Sequence, residues 1–228
     1  MDSNLLLLFF LLFFRSTFQE QEQSARLGSR AERAALLQLR ASLGLRNKDW
    51  PIKSDPCLDW IGVQCQNGSV TGINVSGFKR TRIGNENPNF SVDSLANFTK
   101  LVSFNASRLV LHGSIPNWLG LQLQTLRVLD LRFCEISGAI PSSIRNLLNL
   151  VELYLSDNNL TGTIPSNLGL LSRLSVLDLS RNSLTGLIPA SLGSLAKLSL
   201  LDISSNTLSG TIPEDLGNLS NLKIFESF

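Results

Sequence analysis

Residues that could support catalysis or metal binding are scarce in this sequence. It contains one histidine, His112, in 228 residues. A single imidazole excludes most histidine-containing metal sites and disfavours a Ser-His-Asp or Cys-His nucleophile. Asp130, Asp178 and Asp202 recur at multiples of 24 residues, which indicates a repeated structural position rather than a carboxylate pair for acid–base work. We therefore expect no catalytic residue, no cofactor and no metal site.

Three side chains have the chemistry of molecular recognition. Arg132, Phe133 and Tyr154 bring a guanidinium and two aromatic rings close together in the sequence, and this composition dominates binding hot spots. An ordinary solvated surface is the competing interpretation for each of them taken singly. The elements that carry these residues decide between the two interpretations.

A repeat of 24 residues carries them. The strings LSDNNLTGTIP (155–165), LSRNSLTGLIP (179–189) and ISSNTLSGTIP (203–213) are nearly identical. Their shared frame is L-x-x-L-x-L-x-x-N-x-L-x-G-x-I-P, and five passes fall on it between about Leu101 and Leu222, with a sixth just begun. A fixed period of this length is the signature of a solenoid.

Each position of the frame has a physical reason. Leu177 and Leu179 alternate with Asp178, so both leucines face the same side of a short strand. The Asn182 amide can satisfy backbone groups of its own and neighbouring coils, and Gly186 allows a tight bend. Because one coil cannot bury its leucines alone, we predict an α/β leucine-rich-repeat solenoid, a curved right-handed coil with parallel strands on the concave face. The fixed glycine and proline positions disfavour the rival interpretation, a set of amphipathic helices.

Strand residues between the inward leucines face solvent on the concave surface of such a solenoid. Arg132, Phe133 and Tyr154 would then be neighbours across two coils, which makes them the centre of the predicted ligand site. The full predicted set is Arg127, Arg132, Phe133, Glu152, Tyr154, Asp157 and Arg181.

Three cysteines have different expected roles. Cys57 and Cys65 are close in sequence and should form a disulfide in an exported protein. Cys134 occupies the asparagine position of the repeat, which favours a buried structural role over a reactive thiol. Leu109 at the same position of the preceding coil, and Ala106 at a leucine position, indicate that the first repeat is degenerate.

The N-terminus indicates export. Leu5–Phe14 is a run of ten apolar residues, too short to span a bilayer but suited to a secretory signal peptide, and the polar string QEQEQS follows it. A buried helix or a membrane anchor is the alternative, because Asp2 and no basic residue precedes the run. We assign residues 1–23 to the signal peptide.

The segment 24–80 predicts an N-terminal cap. Residues 29–44, SRAERAALLQLRASLG, are patterned as an amphipathic helix, and the pair Asn67-Gly68 is a hairpin signal. Helix, disulfide and hairpin would together cover the first open edge of the solenoid.

The remaining chain divides into two parts. Residues 81–100 would form a linker or a degenerate first repeat, and residues 101–228 would hold about five repeats, of which the last is incomplete. No second cap is recognisable in the sequence, so we expect an uncapped C-terminus and a truncated product or fragment.

Seven N-x-S/T sequons are expected to be partly glycosylated in an exported chain. Asn74 and Asn105 fall in strands on the predicted concave side, where a glycan would obstruct ligand access. The seven sequons are at Asn67, Asn74, Asn89, Asn97, Asn105, Asn159 and Asn218.

The stretch from Cys57 to Cys65 fits the pattern C-x-x-W-x-G-V-x-C. Together with the helix before it and the GxIP repeats after it, the chain from Ala31 onward resembles the extracellular part of plant leucine-rich-repeat receptor-like serine/threonine kinases. The resemblance implies an ectodomain at the cell surface that binds a peptide, a steroid, a cell-wall polymer or a partner ectodomain. It also implies a kinase elsewhere in the full protein.

The sequence departs from that pattern after the repeats. It has no transmembrane helix there, no glycine-rich nucleotide loop and no H-R-D segment, so we expect this chain not to be an enzyme and to reach the membrane only through a missing C-terminal span. The net charge of +2 gives no reason to expect nucleic-acid binding. A secreted binding protein, such as a polygalacturonase inhibitor or a short co-receptor-like protein, is the alternative.

Overall fold

A computed structural model describes residues 26–79, 81 and 93–227. The predicted signal peptide and the sequon at Asn89 lie outside these residues. Within the described ranges, no helix is both long enough and apolar enough to cross a membrane.

The N-terminal cap is built from two helices and a hairpin. Helix α1 (Arg30–Ser42) begins after Ser29, whose Oγ accepts a hydrogen bond from the Glu32 amide at 3.1 Å. This N-cap satisfies one of the amide donors that the first turn of a helix leaves unpaired. Helix α2 (Pro56–Asp59) follows, and strands β1 (Val63–Gln66) and β2 (Ser69–Asn74) pair antiparallel. The turn between them is the predicted Asn67-Gly68 pair, both residues having positive φ.

Short strands and single-turn helices alternate in the rest of the chain. The strands are β3 (Ser103–Asn105), β4 (Val128–Asp130), β5 (Ser137–Ala139), β6 (Glu152–Tyr154), β7 (Asn159–Thr161), β8 (Val176–Asp178), β9 (Thr185–Leu187), β10 (Leu200–Asp202), β11 (Thr207–Ser209) and β12 (Ile224–Glu226). The helices are η1 (Asp93–Asn97), α3 (Trp118–Gln122), η2 (Ser142–Asn146), η3 (Ser166–Leu170), η4 (Ala190–Ser194) and η5 (Glu214–Asn218), where η marks a 3₁₀ helix.

One sheet of eight strands runs through the molecule in the order β1-β2-β3-β4-β6-β8-β10-β12. From β2 onward its neighbours are parallel, and Leu153, Leu177 and Leu201 lie in register. All three side chains are fully buried, as are Leu155 and Leu179, two residues after Leu153 and Leu177. Each such burial contributes roughly 1.5–3 kcal/mol. The predicted solenoid with leucines on adjacent coils is confirmed.

The asparagine that recurs in the frame binds its own coil to the coil before it. The Nδ2 of Asn182 donates to the carbonyls of Leu155, Leu179 and Ser180 at 3.0–3.1 Å. Its Oδ1 accepts from the Leu160 amide at 3.0 Å. Because these donors and acceptors lie at the end of buried strands, leaving them unpaired would be costly.

A second set of strands flanks the first and was not predicted. Strand β5 pairs with β7, and β9 pairs with β11, in two parallel two-stranded sheets. Gly162 and Gly186 have φ of +77° and +79°, a backbone that favours glycine and makes room for the adjoining coil. These four strands read SGA, NLT, TGL and TLS, and none shows the apolar–polar–apolar alternation by which the concave strands were recognised.

The cysteines adopt the expected roles. Cys57 and Cys65 form a disulfide that joins α2 to β1, and Trp60, which lies between them in the sequence, stacks on Trp50 with ring centroids 4.8 Å apart. Cys134 is fully buried, and its Sγ lies 3.2 Å from the Ala106 carbonyl oxygen. The thiol therefore occupies the asparagine position as a buried donor to the preceding coil.

Candidate ligand-binding surface

The regular coils explain the recurring aspartates. Asp178 Oδ1 accepts from the amide of Ser180 at 3.2 Å and from its hydroxyl at 2.8 Å. Asp202 makes the same pair of contacts with Ser204, at 3.0 and 2.7 Å. Each aspartate therefore fixes the turn that follows its own strand, and its position in the repeat has a structural cause.

The coil that contains β4 keeps the aspartate but replaces the serine. Asp130, only 3% exposed, accepts from the Arg132 amide at 3.2 Å, from Nε at 3.0 Å and from Nη2 at 2.7 Å. The side-chain hydrogen bond to Asp130 raises the pKa of Arg132 above its ordinary value, although partial burial opposes the rise. The guanidinium is thus held in one orientation and stays charged.

The next coil replaces the aspartate itself with Tyr154. The guanidinium of Arg132 lies 4.5 Å from the centre of the Tyr154 ring, in cation–π geometry. The Tyr154 hydroxyl donates to Glu152 Oε2 at 3.3 Å. Burial raises the pKa of Tyr154, and the Glu152 carboxylate adds to the rise, so the phenol remains a neutral donor near pH 7.

Phe133 contacts a residue that sequence reasoning did not select. Its ring is 44% exposed and lies 5.4 Å from the guanidinium carbon of Arg108, one coil earlier. The sequence predicts Arg132, Phe133 and Tyr154 as neighbours across two coils, and the structure adds a cation–π contact of Phe133 with Arg108. The signal was present, since Arg108 and Phe133 occupy the same frame position one coil apart, but the predicted site took no residue from this degenerate coil.

The structure therefore brings together five side chains, which we call the arginine–aromatic cluster. Its members are Arg108, Arg132, Phe133, Glu152 and Tyr154. The cluster joins two cation–π pairs through the consecutive residues Arg132 and Phe133. Exposed aromatic rings held by arginines form a rigid surface that loses little entropy on binding.

The other predicted site residues flank the cluster, and within the described residues their side chains make no hydrogen bond or ion pair with it. Asp157 and Arg181 face each other with Oδ1 and Nη1 3.6 Å apart, and the arginine side chain is largely exposed. Solvated pairs of this kind contribute little. Arg127 is exposed at the start of β4. His112 lies next to the isolated β-bridge between Gly113 and Ile136, with Nδ1 3.5 Å from Glu135 Oε2.

The sequons near the concave face lie on one side of the cluster. Asn74 ends β2 and Asn105 ends β3, and their Oδ1 atoms accept from the amides of Ser76 at 3.0 Å and Ser107 at 2.9 Å. The concave strands on the opposite side, β6, β8, β10 and β12, contain no sequon. The remaining described sequons are exposed, at Asn67, Asn97, Asn159 and Asn218.

The capped parallel sheet and its asparagine ladder define a leucine-rich-repeat solenoid. Residues 100–228 match the leucine-rich repeat region family, and residues 29–66 match the leucine rich repeat N-terminal domain. The chain therefore belongs to the leucine-rich-repeat family.

Among known proteins, the chain is similar to a probable LRR receptor-like serine/threonine-protein kinase of Arabidopsis thaliana. The two are 56% identical over 143 residues, which are 63% of this chain and 15% of the kinase. This chain thus corresponds to a small part of that relative, within its leucine-rich-repeat portion.

Two solved structures share the fold. The Arabidopsis receptor kinase HAESA, in complex with the peptide hormone IDA and the co-receptor SERK1, superposes with a TM-score of 0.75 at 32% identity, covering 87% of this chain and 33% of that one. The BIR2 ectodomain from Arabidopsis thaliana gives a TM-score of 0.65 at 29% identity, covering 78% of this chain and 94% of that one.

Proposed function

We propose that this chain is the extracellular ligand-recognition part of a plant cell-surface receptor. The ligand, a peptide, a small molecule or another protein, docks on the concave sheet at the arginine–aromatic cluster. A partner receptor ectodomain joins the complex, and any catalytic activity belongs to another part of the receptor. The similarity to HAESA, whose structure contains a peptide hormone and a co-receptor, supports this assignment.

One observation carries the proposal. The cluster replaces the repeat's own residues at several frame positions, where the regular coils hold Asp178, Ser180 and Asp202. The regular residues account for their positions by fixing turns. Tyr154 and Phe133 fix no such turn through their side chains; the Phe133 ring is exposed and Tyr154 is half-buried, so both leave aromatic surface to solvent. Ligand recognition explains why these residues differ from the repeat frame, whereas stabilisation of the fold does not.

Alanine substitution at the two rings tests the site. We expect Tyr154→Ala and Phe133→Ala each to weaken binding about 10- to 100-fold, as hot-spot truncations do. The secreted chain would be screened against synthetic peptides and partner ectodomains, and affinities for the recovered ligand measured by titration calorimetry.

Leu170→Ala is the matched control, because Leu170 is an exposed apolar side chain on η3, away from the concave sheet. Its affinity should equal that of the unmodified chain. Unchanged affinity in both ring variants would remove the cluster as the binding site.

The domain assignment is also a proposal. Residues 1–23 act as the signal peptide, 24–80 as the cap, 81–100 as a linker or degenerate repeat, and 101–228 as the repeats. N-terminal sequencing of the secreted protein should begin near residue 24, and glycosidase treatment should lower its apparent mass. Retention of Met1 in the secreted protein would contradict the assignment.

A further inference from the structure

The concave sheet beyond the cluster indicates the chemistry of the ligand. We infer that the face formed by β6, β8, β10 and β12 binds an extended peptide whose basic and aliphatic side chains form two parallel lines. The inference rests on the proposed function, because it concerns the ligand of the same concave surface.

An apolar line crosses these strands. Val176, Leu200 and Ile224 lie in register on neighbouring strands and point away from the buried leucines. Ile224 is 46% exposed, and the other two are half-buried. Three aliphatic side chains at strand spacing, about 4.8 Å, form a continuous apolar strip about 10 Å long.

An acidic line runs beside it. Asp178, Asp202 and Glu226 are also in register, two residues further along each strand. Directly neighbouring like charges destabilise a sheet. Within the described part of the chain, the ion pairs involve none of these three carboxylates and not Glu152. By contrast, Arg132 neutralises Asp130 in the same frame position.

The charge of this face differs from that of the whole chain. The four strands read ELY, VLD, LLD and IFE, with four carboxylates and no basic residue, whereas the chain as a whole carries +2. A ligand that supplies cations to the acidic line relieves the repulsion, which selects for a basic peptide. Aliphatic residues of the same peptide cover Val176, Leu200 and Ile224.

The spacing of the two lines suits a polyproline II backbone. That helix has three residues per turn and advances about 3.1 Å per residue, so every third side chain recurs at about 9.3 Å on one side. Two strand spacings are about 9.6 Å. Lysines three residues apart therefore reach Asp178 and Glu226, while the aliphatic residues of the peptide form a second line over the apolar strip.

The test uses two fluorescent nonapeptides as probes, (Lys-Pro-Val)₃ and (Glu-Pro-Val)₃, with blocked ends. We expect the lysine probe to bind the secreted chain and the glutamate probe not to bind at concentrations up to about 1 mM. The double variant D178N/D202N keeps an oxygen acceptor for Ser180 and Ser204 but removes two charges. The affinity of this variant for the lysine probe should be about ten-fold lower than that of the unmodified chain at low salt. The affinity of the unmodified chain should fall more steeply with rising salt concentration than that of the variant.

The double variant E214Q/D215N is the matched control, since both carboxylates are exposed on η5 away from the sheet face. It should bind the lysine probe like the unmodified chain. Equal binding of both probes, no binding of the lysine probe, or unchanged affinity in D178N/D202N would each overturn the inference.

Tyr154→Ala separates this inference from the proposed function. Loss of binding of the screened ligand in Tyr154→Ala, with D178N/D202N unaffected, would leave the binding site standing and remove the basic ligand class. Weakening by D178N/D202N with no effect of Tyr154→Ala would support the acidic face and count against the cluster.

Discussion

The coils around β4 and β8 bury the same residues but present different surfaces. Leu129 and Leu177 are equivalent and fully buried, and Asp130 and Asp178 occupy the same frame position. In the regular coil, Asp178 holds a serine, whereas in the irregular coil Asp130 holds Arg132. The core of the repeat therefore tolerates a new surface as long as the aspartate retains a donor.

The irregular region keeps its hydrogen bonds by exchanging partners between coils. Ser156 has tyrosine rather than aspartate two residues before it, and its hydroxyl donates to Asp178 of the next coil at 2.7 Å. Cys134 has no side-chain amide, and its backbone N–H donates to Asn158 Oδ1 at 3.1 Å. The difference between the two regions teaches that residues of a neighbouring coil compensate for a departure from the frame.

The largest expected effect comes from removing such a compensating residue. Asn158 Oδ1 accepts from the buried amides of Cys134 and Ile136, whereas Asn182 Oδ1 accepts from Leu160 alone. Asn158→Ala should lower the free energy of unfolding by about 3–5 kcal/mol, because it leaves more buried backbone groups without a hydrogen-bond partner. Asn182→Ala should cost about 1 kcal/mol less. Urea denaturation of both variants checks the order, and an equal or larger loss in Asn182→Ala would refute the comparison.

Converting the irregular coils into regular ones separates surface from stability. In the double variant R132S/Y154D, each aspartate gains the serine partner that Asp178 has in the regular coil. We expect the free energy of unfolding to stay within about 1 kcal/mol of the original, while ligand binding weakens more than ten-fold. Calorimetric titration and urea denaturation measure both. Retained binding would show that the cluster is dispensable.

A smaller gain is expected from restoring the asparagine at position 134. Cys134→Asn replaces a weak thiol donor, 3.2 Å from the Ala106 carbonyl, by an amide with two donors and an acceptor. The free energy of unfolding should rise by about 1 kcal/mol. Cys134→Ala is the control and should lower it. Destabilisation by the asparagine would show that this coil is too tight for the regular residue.

The smallest effect concerns the buried carboxylate of the cap. Asp130 has an arginine partner, whereas Glu32, 6% exposed, accepts from the Val70 amide at 3.1 Å. Burial raises the pKa of Glu32 above its usual value, although the Val70 hydrogen bond opposes the rise. The folded state therefore binds more protons than the unfolded state, and this contribution to stability falls as pH rises from the ordinary carboxyl pKa through the raised pKa of the folded state.

Glu32→Gln keeps an acceptor for Val70 and removes the titration. The stability of this variant relative to the original chain should increase between about pH 4 and pH 7. Thermal unfolding at both pH values measures the difference, with the exposed Glu214→Gln as control. If the stability of Glu32→Gln relative to the original chain decreased toward pH 7, the pKa of Glu32 would be lowered rather than raised in the folded state.

Much of the fold could be predicted because its determinants recur. The leucine, asparagine and glycine at the frame positions of Leu177, Asn182 and Gly186 recur in several coils, so their spacing reveals their structural roles. The disulfide followed from the short separation of Cys57 and Cys65 in an exported chain. Local patterns of this kind depend on spacing alone.

The cluster could be predicted only in part. Arg132 and Tyr154 were selected together, but the contact of Phe133 with Arg108 depends on side-chain directions between coils of unequal length. The flanking sheets of β5, β7, β9 and β11 depend on how closely consecutive coils approach. Both are properties of stacking, which the sequence of a single coil does not encode.

Each asparagine of the repeat frame donates a hydrogen bond to the preceding coil, and this has a consequence for how repeat arrays change length. Asn206 donates to Leu179 of the coil before it, as Asn182 donates to Leu155. Each unit that contains this asparagine therefore carries the hydrogen-bond donor for the unit before it. Whole units can be gained or lost by duplication and excision without orphaning a partner, and the ligand-facing surface is lengthened or shortened one strand at a time.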